Sequence, residues 1–221
     1  MTTLDSQPHT IGILGAGRVG TAVARQSLQA GYEVKIATAK PAEEIAMIAD
    51  IITPGAQAVD AAEAAQADVV VVAVPMHKFR TLDADALAGR TVIDTMNYWA
   101  PTDGEIAEFE ADHRSTSEVV QDFLAGSWVV KTLNHIGYRD LETLARPAGD
   151  PDRRALALAG NSDAARSAVG TFLDRLGYDP VDAGPLAAGR AFEPDTPIFA
   201  TTHPAARLSA LLSEACALAA R

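Results

Sequence analysis

The stretch HTIGILGAGRVGTAV, residues 9–23, decides how the rest of the chain is read. Its TIGIL, 10–14, is a short apolar run of the kind that forms a strand covered on both faces, and RVGTAVARQSLQAG, 18–31, reads as a helix that stops at a glycine. Between them Gly15, Gly17 and Gly20 satisfy G-x-G-x-x-G. The first glycine permits a tight turn, the second lets backbone approach a pyrophosphate, and the third lets helix pack closely on strand. The helix amides and dipole add partial positive charge. A chance glycine turn is the alternative; a strand before and a helix after form the context in which the pattern binds a dinucleotide.

Outward from this turn, strand and helix signals alternate: a strand at 33–37, a helix at 41–49, a short helix in AQAVDAAEAAQ, 56–66, a strand at 68–74 ending in a turn at Pro75, and a strand at 91–96. STSEVVQDFL, 115–124, is a helix capped by Ser115 or Thr116 with Glu118 in its first turn, and SWVVKTL, 127–133, is a further strand. The alternation predicts an α/β fold, a Rossmann doubly wound parallel sheet. ARPAGDPDRR, 145–154, is rich in proline, glycine and charge and is expected to join a dinucleotide-binding domain, 10–145, to a small C-terminal α/β domain, 155–221. That second part holds two strands, at 155–160 and 178–184, a helix at 162–177, an irregular stretch, and a terminal helix near 203–219. Two strands and two helices would expose an apolar face, so it is expected to pack on the first domain or on a second subunit.

A chain of 221 residues can bury a full core without staples. Its formal charge of −11 disfavours nucleic acid, whose phosphates such a surface repels. The longest apolar stretch, ADVVVVAVP at 67–75, is far short of a bilayer span. MTTLDSQPHT at the start is polar, lacks a basic and apolar leader, and is expected to be irregular. The single Cys216 excludes an intrachain disulfide and reads as a packing residue. Together these lead to a cytoplasmic protein with no membrane partner. Five scattered histidines give no metal-ligand spacing, and no G-x-S-x-G elbow supports a hydrolase.

An NAD site places Asp or Glu at the end of the second strand, where it accepts bonds from the ribose hydroxyls. Here that place is KIATAK, 35–40, with no carboxylate. The Thr38 hydroxyl and the Lys40 ammonium suit a 2′-phosphate instead, so NADP(H) is the expected cofactor. Lys40 as a solvated residue before the Pro41 helix start is the alternative. Arg18 either adds charge near the adenine-side phosphate or points to water.

VVKTLNHIGYRDL, 129–141, and LGYDPVDAGPLAAGRAFEP, 176–194, together with the glycine turn, resemble the NADP oxidoreductase, coenzyme F-420-dependent family. The resemblance covers nearly the whole chain after residue 10. It implies direct hydride transfer between nicotinamide C4 and deazaflavin C5, in a cleft between a dinucleotide domain and a small C-terminal domain, and commonly a homodimer. By position it implies Gly15, Ala16, Gly17, Arg18 and Val19 around the pyrophosphate, Thr38 near the 2′-phosphate, and Ala73, Val74 and Pro75 along the ribose and nicotinamide. Asn134 and His135 would lie beside the nicotinamide, and the turn from Gly184 to Arg190 would face the deazaflavin. This chain departs from the family in Ala39 where an arginine is frequent, in His135 for a common threonine, and in DTMNYWAPTDG, 94–104.

Taken singly, Asn134 offers a neutral donor and acceptor that suit a carboxamide, and His135 either polarises an acceptor or satisfies loop backbone. His77 is a cap or a ribose contact. Tyr98 and Trp99 are stacking platforms or core lids. Asp182 reads as a turn former, and Arg190 meets either an anionic acceptor tail or Glu193. Three readings stand: a reductase of coenzyme F-420 or a flavin-like acceptor; a reductase of free flavin, a quinone or a ferric chelate; and a non-catalytic NADP-binding sensor.

Overall fold

The computed structural model describes residues 8–111 and 114–219, so most of the polar lead expected to be irregular lies outside the described residues. The chain runs through β1 (Thr10–Leu14), α1 (Arg18–Gln29), β2 (Glu33–Ala37), α2 (Ala42–Ile52), β3 (Gln57–Ala58), α3 (Ala61–Ala64) and β4 (Val69–Val72), then a 3₁₀ helix at Met76–Thr81. It continues with β5 (Thr91–Asp94), α4 (Ala100–Asp103), α5 (Ala107–Ala111), α6 (Thr116–Phe123), β6 (Trp128–Lys131) and α7 (Tyr138–Thr143). Last come β7 (Ala155–Gly160), α8 (Asp163–Arg175), β8 (Asp179–Asp182), a second 3₁₀ helix at Leu186–Phe192, and α9 (Ala205–Ala219).

All eight strands join one sheet in the order β3-β2-β1-β4-β5-β6-β7-β8. The first six are parallel. Its centre is apolar on both faces: Val69, Val70, Val71 and Val72 are all buried, with Val69 and Val71 in the cluster beneath α1 and α8 and Val70 and Val72 in the cluster beneath α6. A run of valines is what a strand between two helical layers requires. The expected α/β, doubly wound architecture is what the chain adopts.

The C-terminal part is joined to the rest through the sheet itself. β7 pairs antiparallel with β6 through Val130↔Gly160 and Lys131↔Ala159, and β8 then pairs parallel with β7. The 145–154 stretch, outside any helix or strand, carries the chain to this reversed direction. Several local expectations are corrected. AQAVDAAEAAQ splits into β3 and α3 because Gln57 and Ala58 pair with the edge of β2, and α2 runs on to Ile52. The turn at Pro75 continues as a 3₁₀ helix, and Cys216 is exposed rather than packed. Among the described residues no helix is long and apolar enough to cross a membrane.

Candidate functional site

The strand order reverses between β1 and β4, and ligands of open α/β sheets bind outside the carboxyl ends of the strands at such a point. A crevice of about 410 Å³ opens there. Gly15, Ala16 and Gly17 of the glycine turn line it, together with Thr38 and Ala39 after β2, Ala73, Val74 and Pro75 after β4, Lys78, Thr81 and Asp83 beyond them, and the apolar Ala61, Ala65 and Leu87.

The three glycines have three different physical reasons. Gly15 has φ +118°, a conformation that a side chain strains, and a Cβ there would lie 2.4 Å from the Ala73 carbonyl oxygen. Its N–H donates to Ala37 O at 2.9 Å while Ala73 N–H donates to Leu14 O at 2.9 Å, so the turn is tied to both neighbouring strands. A Cβ at Gly20 would lie 1.8 Å from Gly15 O, which fixes the approach of α1 to the turn. Gly17 is the exception, with nothing within 4 Å of its Cβ position. It begins α1 with no side-chain cap, so the crevice meets the uncapped amino end of a twelve-residue helix. A hydrogen at Gly17 that the protein's own packing does not demand fits a bound group close to the backbone, and the helix end suits that group being anionic.

Thr38 lines the crevice, and its Oγ1 accepts from Lys40 N–H at 3.1 Å. Lys40 itself lies outside the lining, exposed, with Nζ 3.4 Å from Glu44. Arg18 is also outside, its guanidinium 5.9 Å from the centre of the Tyr138 ring. Val19 and Gly20 belong to the helix behind the turn.

Asn134 and His135 are brought together but committed inward. The Asn134 amide donates to Asn97 Oδ1 at 3.0 Å and to Phe192 O at 2.9 Å, and its backbone carbonyl accepts from Asn97 Nδ2 at 2.7 Å. His135 Nε2 accepts from Ala157 N–H at 3.1 Å, which places the ring proton on Nδ1, 3.2 Å from Asn134 Oδ1. Burial, aided by the nearby Lys131 charge, pushes the imidazole down to about 3, so the ring is neutral at pH 7. Both nitrogens being engaged, His135 has no free group with which to polarise an acceptor, and that expectation is corrected. The pair instead fastens Phe192 and β7 to the carboxyl ends of β5 and β6.

Tyr98 stacks on Phe109 with ring centres 5.1 Å apart, and its hydroxyl bonds Glu110 at 2.6 Å. Neither it nor the exposed Trp99 lines the crevice. His77 Nδ1 lies 3.7 Å from Asp103 Oδ1. Asp182 Oδ1 accepts from Gly184 N–H at 2.8 Å, a turn-forming bond. Sequence reasoning missed Lys78 and Thr81, which sit one 3₁₀ turn apart on the crevice wall. It also missed the fully buried Lys131, whose signal was a lysine inside an apolar strand.

Residues 10–98 match the family model of NADP oxidoreductases that are coenzyme F-420-dependent. The match includes the glycine turn, while the segments 129–141 and 176–194 that also resemble this family lie outside it. A hypothetical protein from Sinorhizobium meliloti shares 29% identity and a TM-score of 0.74 over 88% of this chain and 95% of its own. A protein of Arthrobacter sp. FB24 called an F-420-dependent NADP reductase shares 26% identity and a TM-score of 0.70, over 83% of this chain and 88% of its own. The 3-hydroxyisobutyrate dehydrogenase of Mycobacterium tuberculosis, 18% identical with a TM-score of 0.59 over 84% of this chain and 57% of its own, shares the fold. No curated protein matches the chain in sequence.

Proposed function

We propose that this chain, an NADP-dependent oxidoreductase whose residues 10–98 match the coenzyme F-420-dependent family, passes hydride between nicotinamide C4 and a deazaflavin or flavin-like acceptor. The open Cβ position at Gly17, facing the crevice at the switch point, carries the reading. The dihydronicotinamide, when bound, supplies two electrons as hydride, and a solvent proton completes reduction of the acceptor, so no protein nucleophile is required.

The chain's own part is to bind, orient and exclude water. The Gly15–Gly17 backbone and the amino end of α1 receive the pyrophosphate. Thr38, with Lys40 swung from its exposed pair with Glu44, faces the adenosine ribose; such a pair costs little to break. Ala73, Val74 and Pro75 border the path towards the nicotinamide. Asn97, Asn134 and Phe192 hold the three loops beyond it in one arrangement, which fixes the shape of the floor on which two rings must meet.

Since neither Tyr98 nor Trp99 lines the crevice, the enzyme reading is favoured over a sensor whose nicotinamide is sealed beneath them. The deciding experiment mixes the protein anaerobically with NADPH and, in turn, coenzyme F-420, FMN or ferric citrate, with NADH as control. Oxidation with F-420 or FMN is expected. Oxidation with ferric citrate alone assigns a metal-chelate reductase, and tight NADPH binding with no oxidation assigns a sensor.

A further inference from the structure

We propose that Lys78 recognises the 2′-phosphate that distinguishes NADP(H) from NAD(H), reaching it from the part of the crevice lining that follows β4. The inference rests on the reading of the crevice as the dinucleotide site. In the order β2-β1-β4 the segments after β2 and β4 flank the glycine turn, and Thr38 and Lys78, one from each segment, line the same crevice. Lys78 is the only cationic side chain in the crevice lining.

Its placement is dictated by the 3₁₀ helix. Met76 and Phe79, three residues apart, are buried and fix the inner face. Lys78 and Thr81, also three apart, therefore share another face, the one that lines the crevice. Lys78 N–H donates to Pro75 O at 2.8 Å and its carbonyl accepts from Thr81 Oγ1 at 2.8 Å, so the backbone is held while the four-carbon stem stays free. No ion pair of the Lys78 ammonium is found among the described residues; the carboxylate in the same lining, Asp83, accepts from Ala86 N–H at 3.0 Å.

The chemistry selects a phosphate monoester on the ribose. The glycine turn and α1 already supply donors for the pyrophosphate. At the end of β2, Ala37, Thr38 and Ala39 give no carboxylate to accept from a free ribose hydroxyl, whereas a phosphate has the Thr38 hydroxyl and the Lys78 side chain in the lining of one crevice. In a chain of net charge −11 a dianion needs such a local cation.

The test is a calorimetric titration of 2′,5′-ADP, 5′-AMP, NADPH and NADH into the wild type, Lys78→Ala, Lys78→Arg and Lys40→Ala. Lys78→Ala is expected to weaken 2′,5′-ADP and NADPH by about tenfold, the scale of one hydrogen bond to a charged group, with 5′-AMP and NADH unchanged. Lys78→Arg retains most of the affinity, and Lys40→Ala changes it less than Lys78→Ala. Equal weakening of the paired ligands by Lys78→Ala, or no change at all, overturns the assignment. So does a wild type that binds 2′,5′-ADP no better than 5′-AMP. A wild type that binds none of the four overturns the dinucleotide reading itself, a different result from loss of discrimination.

Discussion

The Lys131 ammonium lies 3.5 Å from Glu193 Oε1, with no part of its side chain exposed. It donates to Met96 O, Thr116 Oγ1 and Ser117 Oγ at 3.2, 3.2 and 3.0 Å, which uses its three protons, and Asp94 Oδ2 stands 4.0 Å away. One cation thus joins β5, β6, the start of α6 and the residue after the second 3₁₀ helix. Lys131→Met would leave two carboxylates without their cation. A loss of about 3–5 kcal/mol is expected by urea unfolding, the scale for removing one member of a buried pair. A loss under 1 kcal/mol would show that water reaches the cluster.

The glycines separate binding from folding. Gly17→Ala should leave unfolding by urea unchanged and abolish tight NADPH binding, because the new methyl meets only the ligand's space. Gly20→Ala should instead cost about 1–3 kcal/mol of stability, since its methyl meets Gly15 O. Equal NADPH affinity in Gly17→Ala and wild type would remove the pyrophosphate from this turn.

His135 predicts an acid-side loss of stability. Its folded value of about 3 lies below the ordinary 6.5, so the unfolded chain binds the proton more readily. The stabilisation is therefore full above pH 6.5 and declines towards pH 3, by up to about 1.4 kcal/mol per pH unit. Urea unfolding at pH 7 and pH 5 should show His135→Gln less stable at pH 7 and less sensitive to the change. Parallel pH dependence in the two proteins would mean that the buried ring accepts a proton without cost.

Ser115 caps α6 in a capping box with Glu118 and also donates to Glu193 Oε1 at 3.0 Å. Ser115→Ala should cost about 0.5–2 kcal/mol, while Ser115→Asp, a good cap but a second carboxylate beside Glu193, should not restore the loss. Full rescue by aspartate would make the cap alone the source of the effect.

What could be read from the chain in advance was what neighbours in sequence decide. The glycine turn, the valine strand and the Ser115 cap each carry their physics within a few residues. β3 does not: Gln57 and Ala58 become a strand only because the edge of β2 is there to receive them. The inward turn of His135 needed Ala157, 22 residues away, and Lys78 looked like any solvated lysine until its 3₁₀ spacing set it beside Thr81. Thr38 was legible because the end of the second strand is a fixed place in this fold. Lys40, two residues on, was not, because its exposed arm leaves the crevice and lies beside Glu44.

The reversed join between β6 and β7 spans only two residue pairs. Side chains reinforce it: Thr132 Oγ1 donates to Ala157 O at 2.7 Å, His135 receives Ala157 N–H, and Asn134 holds Phe192. A backbone ladder is indifferent to which residues compose it, whereas stitching of this sort is written in particular side chains. The attachment of the last third of the protein is thus open to adjustment by single substitutions.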